Sequence, residues 1–162
     1  MASSNQQFPV MVLLLPIISI ILGASLLLFG LRNLYLAHAS RDWPSVSGHV
    51  ISSELNRNRT TDGTTYSAEV LYEYEVGDTI YSSNHIGYGD LSSGNPSSSR
   101  RIVNKYPSGG GVNVFYRPNN PEESVIEVGI HGKSFLLPIA GSVFFLSGLV
   151  LFVPLLRAAR QQ

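Results

Sequence analysis

Two long uncharged segments dominate the sequence and limit what the chain can fold into. Val10–Leu31 and Phe135–Leu156 each run for twenty-two residues without an acidic or basic side chain. At about 1.5 Å per residue, a helix of this length reaches roughly 33 Å, enough to cross a hydrocarbon layer of about 30 Å. Arg32 follows the first segment, and Lys133 and Arg157 flank the second. The pattern predicts two transmembrane helices that bracket one domain.

A cleaved signal peptide is the alternative interpretation of the first segment. Ala37–Ala39 reads Ala-His-Ala, the small-x-small pattern of a cleavage site. The nine residues before the apolar run contain no lysine or arginine, however, and the run is longer than a usual signal sequence. We therefore expect the first helix to stay attached. The expected organisation is a tail (1–9), a first span (10–36), a β-rich domain (43–129), a second span (134–156) and a tail (157–162).

Each apolar segment carries two glycines seven residues apart: Gly23 and Gly30 in the first, Gly141 and Gly148 in the second. Seven residues are about two helical turns, so each pair lies on one helix face. Small residues let helix backbones approach closely in lipid. We expect these faces to pack together, within one chain or across a dimer. The alternative is that glycine is simply frequent in membrane helices.

The charges and the missing cysteines exclude several function classes. The formal net charge is zero, which argues against binding of nucleic acid. Without cysteine, the chain has no disulfides, thiolate nucleophiles or thiolate metal sites. Near the ends of the spans, lysines and arginines are about as frequent on the side of the loop domain as on the side of the tails. They therefore indicate the orientation of the protein in the membrane only weakly. The domain is poor in lysine and rich in serine, threonine and tyrosine, which favours an extracytoplasmic position in a two-pass protein of the plasma (inner) membrane.

The residues between the spans predict a membrane α+β protein with about five strands and one helix. Tyr66–Val76 alternates strictly between a tyrosine- and valine-rich face and a face that carries Glu69, Glu73 and Glu75. Such period-two alternation indicates a half-buried strand. Gly77-Asp78 then predicts a two-residue hairpin turn. The other expected strands are Ser47–Asn56, Thr79–Ile86, Val112–Tyr116 and Ser124–Val128.

The expected helix lies between the third and fourth strands. Asn95 can cap it, Pro96 suits its first position, and Pro107 ends it. The Asp-Gly and threonines of Arg57–Thr65 indicate a turn. Three strands, a helix and two strands is the order of an OB-type small barrel, although an open α+β sheet has it too.

The glycine- and proline-rich segment Tyr106–Gly129 has two interpretations. Gly109–Gly111 and the prolines at 118 and 121 suit turns between strands, where a missing N–H does no harm. Alternatively, Arg117, Asn119 and Asn120 form a ligand-binding loop. We expect the turns.

Four stretches of the chain resemble a known family: "WPSVSGHV", "VLYEYEVGDTIYSSNHIGYG", "YPSGGGVNVFYRPNNPEESVIEVG" and the closing apolar span. Tyr-Pro-x-Gly, a Val-x-Val-x-Tyr strand, Pro-x-x-Pro and Ser-Val-x-Glu together resemble domain of unknown function 3592. The resemblance implies a membrane protein whose domain lies beside or between spans, and it carries no catalytic residues. Arg117 departs from the acidic or amide residue expected before the proline.

Motifs that suggest chemistry are weak. Gly129–Ser134 imitates the end of a phosphate-binding loop, but Glu127 stands where the first glycine belongs. The histidines lack metal-ligand spacing, and carboxylates on an exposed strand face are usually just solvated. We expect no catalytic, cofactor or metal site. The histidines are His38, His49, His85 and His131.

The sequence therefore predicts a membrane-anchored, non-enzymatic interaction or assembly module with the lipid bilayer and a protein or a second copy as partners. The candidate surface consists of Glu69, Glu73, Glu75, Arg117, Asn119 and Asn120. The alternative function is a membrane-associated enzyme or small-ligand sensor of the envelope, which would use loops 87–94 and 117–120.

The first prediction concerns extraction from membranes. Because two uncharged spans of this length have no stable position in water, the protein should stay with the membrane pellet in alkaline carbonate and dissolve only in detergent. Recovery in the soluble fraction without detergent, or a mature N-terminus at Ser40, would contradict the two-span interpretation.

Overall fold

The computed structural model describes residues 10–61, 63–89, 95–130 and 132–160. The expected tail at residues 1–9, residues 90–94 of loop 87–94, His131 and the end of the second tail lie outside the described residues. The chain divides into a helical unit, within Met1–Arg32 and Phe135–Gln162, and a sheet domain, Asn33–Ser134.

The described residues form three α-helices: α1 (Val10–Ala39), α2 (Pro96–Lys105) and α3 (Leu136–Arg160). Both α1 and α3 are long and apolar enough to cross a membrane. Their apolar side chains are largely exposed, and Leu15 and Val150 are each 72% exposed. A core helix of a soluble protein would bury such side chains. The two helices therefore fit a membrane protein.

Within the helical unit, α1 and α3 run antiparallel and their backbones touch at glycine positions. A Cβ built on Gly23 would lie 2.9 Å from the carbonyl oxygen of Gly141, and one built on Gly141 would lie 2.5 Å from the backbone nitrogen of Leu27. Both separations are shorter than real Cβ contacts. Gly30 meets Pro138 and Gly148 meets Ile20 in the same way. All four glycines thus lie at an interface formed within one chain.

The second prediction follows from this interface. Gly23→Leu or Gly141→Leu should push α1 and α3 apart, because lipid gives no hydrophobic compensation for lost packing. The expected loss is on the order of 1 kcal/mol per contact. Cysteine crosslinking between the helices and thermal stability in detergent would measure it. Leu28→Ala, at an exposed position of α1, is the control and should leave the packing of the two helices unchanged. Equal crosslinking in all variants would contradict the close approach.

Five antiparallel strands form the sheet, in the order β3-β2-β1-β4-β5. Their bounds are β1 (Ser45–Thr60), β2 (Gly63–Val76), β3 (Thr79–Ser83), β4 (Gly111–Arg117) and β5 (Asn120–Val125). The sequence order of three strands, one helix and two strands is confirmed. The cap of α2 is confirmed as well, since the Asn95 side chain accepts a hydrogen bond from the Ser97 N–H at 2.9 Å.

The structure differs most from the predicted strands in three places. The turn expected over Arg57–Thr65 is mostly strand, because β1 and β2 stay paired up to Thr60 and Gly63. The last strand was expected at Ser124–Val128 but is β5, so Pro121 lies inside an edge strand, where its missing N–H is tolerated. The third strand ends at Ser83 rather than Ile86.

The barrel alternative is wrong: in the described residues the strand ladder ends at β3 on one edge and at β5 on the other. The sheet nevertheless curls, with an irregularity in β1 between Val50 and Ser52 that adds local twist. Its edges are joined after the strands end, where the Ile86 carbonyl accepts hydrogen bonds from the N–H groups of Ile126 and Glu127. Within the described residues the short edge strands β3 and β5 do not pair with each other, so the barrel stays open.

The core lies on one face of β2, between the curled sheet and α2. Val70, Tyr72 and Tyr74 of β2 are buried, whereas the residues between them face outward. Ile102 and Tyr106, at the end of α2, pack against this cluster. The predicted face assignment of β2 is confirmed. A second cluster joins the end of α1 to Trp43, Tyr88 and Val125.

The third prediction tests this register with two adjacent residues. Tyr72→Ala should destabilise the sheet domain by about 3–5 kcal/mol, the cost of truncating a buried aromatic side chain. Glu73→Ala, on the outward face, should cost less than about 0.5 kcal/mol. Trp43 is the only tryptophan, so its fluorescence reports unfolding of this domain. An inverted order of the two effects would contradict the register.

Candidate interaction surface

The outward side of β2 carries three carboxylates along the strand. Glu69, Glu73 and Glu75 are all exposed, and Leu71 lies among them with 37% of its surface exposed. Strand periodicity places all four on one side, opposite the buried tyrosines. We call this side of β2, with the facing residues of β1 and β3, the acidic face.

The neighbouring strands add to the negative charge of the acidic face. Glu54 of β1 lies directly opposite Glu69, and His49 lies opposite Glu73. The Asn56 amide donates a hydrogen bond to the Glu69 carboxylate. Like charges directly opposite each other in a sheet destabilise it. The arrangement of Glu54 and Glu69 therefore does not serve the stability of the isolated domain.

Apolar side chains lie among these carboxylates. Ile80 of β3, opposite Glu75, is 71% exposed, and Ile51 of β1 is 48% exposed. A solvated sheet face normally presents polar residues. A face that combines charges with exposed Ile51, Leu71 and Ile80 has the mixed chemistry of a protein interface.

The other three predicted surface residues lie at the turn between β4 and β5, separated from β2 by β1 in the sheet order. Asn119 lies in the turn, and Asn120 begins β5 opposite Arg117. The Arg117 guanidinium forms an ion pair with Glu123 at 2.8 Å, and this contact raises its pKa above the ordinary value. Arg117, Asn119 and Asn120 thus do not join the acidic face.

Glu123 bridges the two loops that the sequence suggested as a ligand site. One of its carboxylate oxygens accepts from Arg117, and the other accepts from the Tyr88 hydroxyl at 3.0 Å. The Tyr88 ring also packs edge-on against Trp43. The polar groups of Arg117, Glu123 and Tyr88 therefore already bind one another. Glu123 was not among the predicted site residues, because the fifth strand was expected to begin at Ser124, four residues after its actual start.

The Tyr-Pro-x-Gly and Ser-Val-x-Glu motifs meet in the structure. The buried Tyr106 ring lies beside Glu127, and its hydroxyl is 3.3 Å from the carboxylate. Lys105 forms an ion pair with the same carboxylate at 2.8 Å. Gly109, with φ of 78°, turns the chain so that its N–H donates to the Val50 carbonyl. The motifs therefore tie α2 and β1 to the segment after β5, which is a structural role.

The Ser124 side chain belongs to a second group of hydrogen bonds, inside the core. Its hydroxyl lies 3.1 Å from the hydroxyl of Tyr72, and the Tyr72 hydroxyl donates to the His85 carbonyl at 2.8 Å. The Tyr74 hydroxyl donates to the Pro121 carbonyl. These bonds satisfy polar groups that burial would otherwise penalise. They also fix β5 and the segment that follows β3.

Metal-ligating side chains are dispersed. Within the described residues, no group of three or more histidine, aspartate or glutamate side chains could hold a metal ion. His85 packs edge-on against Tyr88, and His49 lies on the acidic face.

Comparison with known proteins places part of the chain in a family. Residues 46–131, more than half of the chain, match a family model described as Domain of unknown function (DUF3592). No curated protein matches the sequence. The match runs from the second residue of β1 to beyond β5 and includes the motifs that tie α2 to the sheet.

The fourth prediction concerns alkaline pH. Burial raises the pKa of the hydroxyls of Tyr72, Tyr74 and Tyr106, and the hydrogen bond to Glu127 raises the pKa of Lys105. Each group keeps its proton to higher pH when folded than when unfolded. Their stabilisation is therefore complete below the unfolded values of about 10 for tyrosine and about 10.4 for lysine, and is lost as pH rises through the folded values.

Denaturant unfolding in detergent, followed by Trp43 fluorescence from pH 8 to 11, would measure this loss. The free energy of unfolding should be level near pH 8 and fall above about pH 10. Tyr106→Phe, which has no ionisable hydroxyl, should show a shallower fall than the unmodified chain. Identical slopes would contradict the assignment.

Proposed function

The chain belongs to the DUF3592 family, a domain of unknown function, and we propose that it is a membrane-anchored, non-enzymatic interaction module. In this proposal α1 and α3 hold the sheet domain at a membrane surface. The acidic face is the surface that recognises a protein partner.

One observation carries the proposal: carboxylates and exposed apolar side chains share the outward side of β2. The opposed pair Glu54 and Glu69 costs stability in the isolated domain, and a cationic partner would remove that cost. Leu71 and Ile80 offer apolar area that a partner would bury.

The alternative function, an enzyme or small-ligand sensor built on loops 87–94 and 117–120, lacks such an observation. Its strongest residue, Arg117, is ion-paired with Glu123, which also accepts from Tyr88. A ligand would have to displace these contacts. We therefore propose the interaction module alone.

We also propose that the protein crosses the plasma (inner) membrane twice, with the sheet domain on the extracytoplasmic side. The support is compositional: the domain is poor in lysine and rich in serine, threonine and tyrosine. Because the chain has no cysteine, Glu122→Cys, at an exposed position of β5 outside the acidic face, provides a single thiol. A membrane-impermeant maleimide should label it in intact cells, and labelling only after lysis would place the domain in the cytoplasm.

Photocrosslinking from the acidic face tests the function. A photoreactive amino acid at Leu71 should capture a protein in native membranes. The same group at Glu122, an exposed position of β5 outside the acidic face, is the control. Replacing Glu69, Glu73 and Glu75 with alanine should abolish capture from position 71 while Trp43 fluorescence shows an intact domain. No capture from position 71, with a functional photoreactive group, would overturn the proposal.

A further inference from the structure

The sheet domain carries a second charged surface that the proposed function leaves unused. Four arginines lie on two elements that pack against each other: Arg57 and Arg59 at the end of β1, and Arg100 and Arg101 in the middle of α2. All four are exposed. None forms an ion pair with a carboxylate of the described residues. We call these four residues the arginine surface.

Strand pairing places the arginines of β1 on the side of the sheet that faces α2. Arg57 lies opposite Tyr66 and Arg59 opposite Thr64, and directly opposed residues point to the same side. Tyr66 lies six residues before the buried Tyr72, an even number, so both side chains are on the same side of β2. Arg57 also stacks over the Tyr66 ring at 6.0 Å.

Helix α2 is held at the same place. The Ser99 hydroxyl donates to the Tyr66 carbonyl at 3.2 Å. Ser99 is buried, whereas Arg100 and Arg101, the next two residues, are exposed. The Ser99 contact thus places the part of α2 that carries Arg100 and Arg101 at Tyr66, the strand residue that pairs with Arg57.

The acidic face lies on the opposite side of the same two strands. Glu69, Glu73 and Glu75 alternate with the residues that face α2, so β1 and β2 separate negative charge on one side from positive charge on the other. Two different, complementary patches on opposite sides of one domain favour head-to-tail association, in which one copy's patch meets the other patch of the next copy.

We propose that the partner of the acidic face is a second copy of this chain, which docks through its arginine surface. This inference rests on the proposed function and names its partner. Charge complementarity is the argument: four arginines meet Glu54, Glu69, Glu73 and Glu75, and the opposed pair Glu54 and Glu69 gains a counter-charge. Because the contact joins two different patches, it produces a ring or a row of copies in the membrane plane.

Cysteine crosslinking between two differently tagged full-length copies tests the geometry. Ser82→Cys lies on β3 opposite Glu73, and Asn104→Cys is exposed on α2, one turn after Arg100 and Arg101. A short bifunctional maleimide should join residue 82 of one copy to residue 104 of another. Crosslinks between residue 82 of one copy and residue 82 of another, with none between residues 82 and 104, would indicate a symmetric contact and overturn the proposal.

Charge reversal tests the chemistry. Glu73→Lys with Glu75→Lys should reduce the 82-to-104 crosslink by about tenfold or more, and so should Arg100→Glu with Arg101→Glu, because each places like charges in contact. Glu122→Lys, outside both surfaces, should leave the yield unchanged. Combining both pairs in one chain restores complementarity and should restore the crosslink, which excludes misfolding as the cause of the loss.

The outcomes separate this inference from the proposed function. If both reversed pairs crosslink as well as the 82 and 104 cysteine variants without charge changes, self-association through these surfaces is wrong. It is also wrong if the combined chain stays uncrosslinked while Trp43 fluorescence shows a folded domain. If position 71 captures a different protein and never a second copy, the interaction module stands and the second copy is excluded. If position 71 captures nothing, both proposals fail.

Discussion

The pairing of β2 with its neighbours decides which side chains of the sheet domain are buried and which face outward. A shift of one residue would place the carboxylates of β2 in the core and its tyrosines in solvent, so the register is strongly specified. The buried side then anchors the rest of the domain. The Tyr72 hydroxyl contacts Ser124 and the His85 carbonyl, and the Tyr74 hydroxyl contacts the Pro121 carbonyl. Both edges of the curled sheet therefore depend on two tyrosines of its second strand.

The motifs that identify the family contribute to the same architecture. Tyr106 and Lys105 converge on Glu127, while Gly109 turns the chain back onto Val50. These contacts fasten α2 to the sheet and leave the outward side of β2 uninvolved. The family motifs are thus explained by folding alone. A role in recognition is better sought in residues outside them, such as the glutamates of β2 and the arginines of α2.

Sequence patterns predicted the elements with the strongest local signals. Uncharged length predicted α1 and α3, strict alternation predicted the faces of β2, and Asn95-Pro96 predicted the start of α2. Features that depend on which strands pair could not be predicted from the sequence. Thr60 and Gly63 continue a long hairpin only because their strands are matched, and Glu123 becomes an ion-pair partner only once β5 lies beside β4. The arginine surface was missed for the same reason, since only the Ser99 contact with Tyr66 shows that α2 packs where Arg57 pairs with β2.

The central claim is that a partner covers the acidic face in the membrane. Protection of a single thiol tests it most directly, because the unmodified chain contains no cysteine. Glu73→Cys should react slowly with a small maleimide in native membranes and quickly after detergent and high salt separate the copies. Glu122→Cys should react quickly under both conditions. Equal, rapid labelling of position 73 before and after solubilisation would show an uncovered face and contradict the account.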